Sequence, residues 1–226
     1  MGPVSIERQV LMSSSKADQP SVPRLPEGND NANDHAVDLA LQANALRDGL
    51  VARKLVTVAA LDDIVHQFTD ELTPENGARV VARCWVDPAF RERFVSDATV
   101  ASAELGIAGP EGKHMRAVEN TATTHNVIVC TQCSCTAWPL IGLPPDWYKS
   151  APYRSRVVRE ARNVLLEMGL VLPEDNEIQV WDTTGDTRYV VLPQRPVGCE
   201  SWTEEQLRAL ITRECLIGVA LPMVGG

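Results

Sequence analysis

Residues 130–135 read Cys130-Thr131-Gln132-Cys133-Ser134-Cys135, three thiols within six positions of a 226-residue chain. Three sulfurs on one short turn can converge on a single metal ion, or two of them can work as a redox pair. The other cysteines, Cys84, Cys199 and Cys215, are scattered, so the cluster is not part of a spaced disulfide framework. Zinc is the simplest occupant, but it normally takes four ligands from two separated pairs, and no second pair stands at zinc-finger spacing. His125, five residues upstream, offers a fourth ligand in that reading, although a lone histidine more often serves as a hydrogen-bonding residue. Cys133 and Cys135 allow another donor set, because they flank Ser134. If the backbone amides of Ser134 and Cys135 deprotonate, two anionic nitrogens join the three sulfurs. Five such donors favour a small trivalent low-spin ion over zinc and leave one position open, as a catalytic metal needs.

The rest of the chain has to position that turn. Residues 1–34 are rich in Ser, Pro, Asn and Asp and read as a disordered leader or arm. Residues 35–108 read as a helical N-terminal arm. Ala36, Leu39, Ala40, Ala43 and Leu46 form one apolar stripe and Val58, Leu61, Ile64, Val65 and Phe68 a second, with a break expected at Gly49. Thr73-Pro74 looks like a helix start for residues 74–84, and a further helix is expected over 88–98 with Phe90 and Phe94 on one side. Residues 109–226 read as the metal-binding α/β domain. Val127-Ile128-Val129 is a short apolar run that ends at the cysteines, so it reads as a strand feeding the metal loop. A helix is expected over 153–169. Residues 177–181 and 187–192 read as strands paired around Thr184-Gly185-Asp186, 204–212 as a helix capped by Thr203, and 216–221 as a last β-like run. The fold class expected is α+β: an extended helical arm followed by a layered α-β-β-α domain carrying the metal loop.

Composition narrows the partners. The chain is 44% hydrophobic and 23% charged with a net charge of −9, and an acidic balance argues against a nucleic-acid or anionic-membrane partner. It contains no run of about 18 apolar residues and no basic-then-apolar leader, so a reducing, cytoplasmic setting is expected.

The segment Val129–Pro139, with Gly142-Leu143-Pro144-Pro145 and Trp147-Tyr148-Lys149, resembles the alpha subunit of the nitrile hydratase family. So do Tyr153–Glu160, Asp182-Thr183-Thr184, Thr187-Arg188-Tyr189, Leu192–Pro196 and Cys215–Ala220; the likeness runs from about residue 36 to the C-terminus. The resemblance implies hydration of a nitrile to an amide at non-haem Fe(III) or non-corrin Co(III), one ion per chain. It implies that Cys130, Cys133 and Cys135 supply sulfur ligands, and Ser134 and Cys135 amide nitrogens. Cys130 would be the axial thiolate, Cys133 a sulfinic acid and Cys135 a sulfenic acid, whose anionic oxygens meet arginines of a beta subunit. By the same resemblance the ion would act as a Lewis acid, with a Cys135 sulfenate oxygen a candidate nucleophile. Trp138 would form part of the apolar substrate wall, and Arg188 and Asp182 would stand behind the ligands.

Two positions depart from the family pattern. Gln132 replaces an apolar residue between ligands, and Glu111 stands where iron-type relatives carry a glutamine. Thr131 resembles cobalt-type members and Thr136-Ala137 iron-type ones; the balance favours Fe(III), with Co(III) the alternative. The implied partners are a beta subunit, a small nitrile and a metal-loading activator protein. The nearest rival is the gamma subunit of thiocyanate hydrolase, which shares the motif. A non-catalytic zinc or redox module is the rival from another class.

Overall fold

The computed structural model describes residues 32–109 and 114–224. The expected leader therefore lies almost wholly outside the described residues, as does Glu111. The chain opens on α1 (Ala32–Ala52) and α2 (Val58–His66), whose apolar residues Leu39, Leu46, Val58, Ile64 and Val65 are all more than half exposed. Gly49 does not break this stretch; it lies inside α1. The break comes at Lys54, which takes the left-handed conformation with φ 57°, while Leu55 N–H bonds the Leu50 carbonyl and Lys54 N–H the Val51 carbonyl. That is a Schellman stop made without glycine. Thr57 then caps α2 by accepting from the Ala60 amide.

A single π-helical turn, Gln67–Glu71, leads into α3 (Pro74–Val86), which buries Ala78, Val80, Val81, Ala82 and Cys84. The helix expected over 88–98 is α4 (Pro88–Ser96), and a further helix that was not expected, α5 (Ala98–Glu104), follows it. Asp97 divides them, because its carboxylate accepts from the Thr99 and Val100 amides and caps α5. Phe90 and Phe94 stack in the core with ring centroids 6.4 Å apart.

Two parallel strand pairs form the centre: β1 (His114–Glu119) with β4 (Thr187–Leu192), and β2 (Thr124–Val129) with β3 (Glu177–Asp182). The expected β3–β4 hairpin does not form. Val127–Val129 on β2 and Val190–Leu192 on β4 are buried, so each strand is wanted between layers rather than in a ribbon with one wet face. Helices α4 and α5 pack on β1; two short helices, α6 (Trp138–Ile141) and α7 (Asp146–Lys149), follow the cysteines, and α8 (Ala151–Glu167, kinked at Glu160) packs on β2 and β3, giving the layered α-β-β-α order. The run 216–221 is not a strand either. Thr212 caps α10 (Arg213–Ile217), and Gly218 ends it at φ 91°. Capping residues at both ends outweigh an apolar run that periodicity alone cannot assign. The helix started by Thr203, α9, stops at Arg208. No described helix is long and apolar enough to cross a membrane.

A buried polar network sits under the strand that feeds the cysteines. The His125 Nε2–H donates to the Gly218 carbonyl at 2.7 Å, and His125 Nδ1 accepts from the Asn120 amide at 3.2 Å. Asn120 Oδ1 accepts from the Asn126 backbone, and the Trp181 indole N–H donates to Asn126 Oδ1 at 2.8 Å. Both ring nitrogens of His125 are thus used, and burial holds its pKa below the ordinary value. The unfolded chain therefore takes up this proton first. The network's stability is full above about pH 6.5 and is lost as pH falls below it. We expect the urea midpoint to drop on acidification from pH 7.5 to 5.5, and the drop to be shallower in His125→Gln; equal slopes in the two proteins would contradict this.

A candidate metal centre

Strand β2 delivers Cys130, 2% exposed, directly into the turn. The parallel register places Val129 opposite Asp182, and the Thr183 amide continues the ladder to the Val129 carbonyl at 2.7 Å. This pairing aims the Asp182 carboxylate at the first loop residue. Oδ1 accepts from the Thr131 amide at 2.9 Å and Oδ2 from the Thr131 hydroxyl at 2.6 Å. Arg154 on α8 donates to the Thr131 carbonyl at 3.3 Å. At the far end the Tyr148 hydroxyl donates to the Cys135 carbonyl at 3.0 Å, and the Thr136 hydroxyl to the Gly142 carbonyl at 2.8 Å.

Held this way, the three sulfurs lie within 4.8 Å of one another. Cys133 Sγ is 3.3 Å from Cys130 Sγ and 2.9 Å from Cys135 Sγ. Two sulfurs each ~2.3 Å from one ion lie about 3.3 Å apart when bound at right angles and about 3.8 Å apart at the tetrahedral angle. The 3.3 Å pair matches right-angled ligation, the 2.9 Å pair is closer still, and both are shorter than the tetrahedral spacing. Among the described residues no histidine or carboxylate joins the three sulfurs, and His125 is committed elsewhere. A closed four-ligand zinc site therefore does not form, whereas three sulfurs with neighbouring amides fit an ion that prefers right-angled donors.

The electrostatics prepare one sulfur for ligation. The Cys135 thiol, donating across 2.9 Å, draws Cys133 down to about 7, helped by Cys130 and by the Ser134 and Cys135 amides. Burial, with that same bond, pushes Cys135 up to about 11, against the opposing pull of Arg188. Near neutral pH the pair therefore loses its first proton from Cys133. The other cysteines are buried and separate, and burial raises Cys84 to about 12.

Of the residues the sequence singled out, Cys130, Cys133, Ser134 and Cys135 lie on one turn, and Asp182 grips that turn. Arg188 is buried beside Cys135 and its Nη1 donates to the Thr184 carbonyl. Gln132 is exposed. Trp138 is half-buried, its indole meeting Phe68 edge-on with centroids 5.2 Å apart. Tyr148, Arg154 and Phe68 were not singled out as site residues. Tyr148 and Arg154 stand in the quoted motifs, but a hydroxyl or guanidinium aimed at a backbone carbonyl leaves no spacing signal.

The chain matches the family described as nitrile hydratase, alpha chain, over residues 37–220. It belongs to that family. It is 48% identical over 185 residues to the low-molecular weight cobalt-containing nitrile hydratase subunit alpha of Rhodococcus rhodochrous, covering 82% of this chain and 89% of the relative. A solved structure of a double mutant of Fe-type nitrile hydratase from Comamonas testosteroni Ni1 superposes with a TM-score of 0.79 at 46% identity, covering 82% of this chain and 91% of the other. The thiocyanate hydrolase subunit gamma of Thiobacillus thioparus is 38% identical over 200 residues, 84% of this chain and 80% of the relative.

Asp182→Ala removes both acceptors of Thr131 and is expected to loosen metal retention about 10- to 100-fold. Chelator competition on the assembled protein checks this. Asp182→Asn keeps one acceptor and should lose less; retention equal to the parent in Asp182→Ala would show that the carboxylate does not hold the loop.

Proposed function

We infer that this chain is the metal-bearing alpha subunit of a nitrile hydratase and hydrates nitriles to amides together with a beta subunit. The observation that carries the reading is the convergence of the Cys130, Cys133 and Cys135 sulfurs within 4.8 Å of one another on one clamped turn, in a chain of this family. Cys130, Cys133 and Cys135 would hold the ion through sulfur, and Ser134 and Cys135 through their backbone nitrogens. When bound, the trivalent ion supplies a Lewis acid that polarises the nitrile or lowers the pKa of a water. Thr136-Ala137 supports Fe(III), and Co(III) is the alternative; the relatives include a cobalt-containing enzyme and an Fe-type one.

The remaining steps belong to the protein. Asp182, Arg154 and Tyr148 keep the turn open toward solvent by holding its backbone. Trp138 offers the apolar wall against which the nitrile's carbon chain lies. In this reading Cys133 is carried as a sulfinic acid and Cys135 as a sulfenic acid, whose oxygen is a candidate nucleophile toward the nitrile carbon. Arg188 is the cation that this chain places near Cys135. Further cations come from the beta subunit. The same partner is the proposed cover for the first two helices of the arm, α1 and α2, which expose Leu39, Leu41, Leu46, Ile64 and Val65. A metal-loading activator and a cytoplasmic setting complete the proposal.

Metal analysis of the chain purified with its partner should return about one iron or cobalt per chain. Zinc, or no metal, would overturn the reading. With that assembly, a nitrile should yield its amide, whereas turnover of thiocyanate to carbonyl sulfide and ammonia would assign the chain to the other branch. Cys135→Ala removes a ligand of the Lewis acid and should lower kcat by about a thousandfold or more. The chain alone should be inactive, since part of its site is open.

A further inference from the structure

The edge-to-face contact between Phe68 and Trp138 joins two regions that are 70 residues apart in sequence: the end of the helical arm and the segment that leaves the cysteine turn. Phe68 lies in the π-helical turn Gln67–Glu71, a geometry that recurs at functional sites because it re-aims side chains. The two segments approach closely beyond the rings as well. Gly142 sits at φ 73°, and a Cβ there would lie 2.9 Å from the Leu72 carbonyl oxygen. The carbonyl of Gly142 in turn accepts from Thr136, the residue after Cys135. The backbone around Trp138 is therefore fixed from both sides, while its indole is half-buried and rests on Phe68.

On this basis, and resting on the hydratase reading above, we propose that Phe68 is a positioning and specificity-determining residue. Its ring fixes the Trp138 indole as the wall that bulky nitriles lean on. An edge-to-face pair favours one relative orientation over others, so removing one ring frees the other to turn. Acetonitrile is too small to use much of that wall, whereas benzonitrile lays a whole ring against it, so loss of Phe68 falls on the larger substrate. Ile64 and Val65, one turn before Phe68 on α2, are exposed, so the ring that supports Trp138 lies at the end of the apolar face the arm offers to a partner.

The test uses the metal-loaded assembly of this chain with its beta subunit, in parent, Phe68→Leu and Phe68→Tyr forms, with acetonitrile and benzonitrile as substrates. In Phe68→Leu, KM for benzonitrile is expected to rise about fivefold, an aromatic pair's share, with a shift of less than about twofold for acetonitrile. Phe68→Tyr keeps the ring and should restore the parental ratio. Metal content measured alongside shows whether each variant is assembled. Equal changes for both nitriles would mean a merely structural contact, and no change for either would mean the indole is held without Phe68; each overturns the proposal. If Phe68→Leu does not assemble, Phe68→Tyr and Phe68→Met decide it: the ratio must be kept by the first and shifted by the second. A parent assembly that hydrates neither nitrile removes the hydratase reading itself, an outcome distinct from the others.

Discussion

The parallel pairing of β2 with β3 is the constraint on which the site depends. Its register sets Val129 against Asp182, so the strand that ends in Cys130 and the carboxylate that receives the next residue arrive together. A slip of one residue would turn Asp182 to the other face and leave the Thr131 amide and hydroxyl without their acceptor. Parallel pairing needs a long return connection, and α8 fills it, packing on both strands and bringing Arg154 to the Thr131 carbonyl and, at its first turn, Tyr153 to the Ile128 carbonyl at 2.7 Å. One topological choice thus supplies the strand, the clamp and the cover.

That register is itself held by polar groups that have no freedom to change partner. Asn120, His125, Asn126 and Trp181 satisfy one another and the Gly218 carbonyl beneath β2. Every member of such a network depends on the next one, because an unpaired polar group buried there has a large desolvation penalty. Gly218 carries the closest approach: its φ of 91° and the Asn126 carbonyl against its Cα leave no room for a side chain. The α10 C-terminus and the metal strand are fixed to each other at this point.

The cysteine turn and the strand entering it were legible because chemistry concentrated in few positions leaves a signal in spacing. So were most of the longer helices, through apolar periodicity. Strand β1 was not, because its buried positions, Met115 and Val118, are three apart and show no two-residue alternation. The pairing partners were misread for a related reason. Residues 177–181 and 187–192 are adjacent in sequence, and nothing local in them says that each pairs with a strand more than fifty residues upstream. The stop at Lys54 and the helix at Arg213–Ile217 show capping and backbone bonds overruling what composition suggests at Gly49 and at 216–221. Tyr148, Arg154 and Phe68 act on a backbone carbonyl or on another ring, contacts that exist only once the fold does.

The direction of the chain's own contacts explains why the site calls for a second protein. Asp182, Arg154 and Tyr148 hold Thr131 and Cys135 by peptide or hydroxyl groups. Among the described residues, hydrogen bonds to the sulfurs come only from within the turn. Cys130 is buried, Cys135 half-buried and Cys133 exposed, so the sulfur face tilts outward from the fold. A charge-stabilising site works best where water is excluded and the local dielectric is low. With its backbone gripped from below and Cys133 exposed to solvent, this turn is held on one side and left open on the other. The exposed apolar stripe of α2 ends beside Phe68, whose ring meets Trp138, three residues after Cys135. A partner that buries the arm would then close over the sulfurs and exclude water from them.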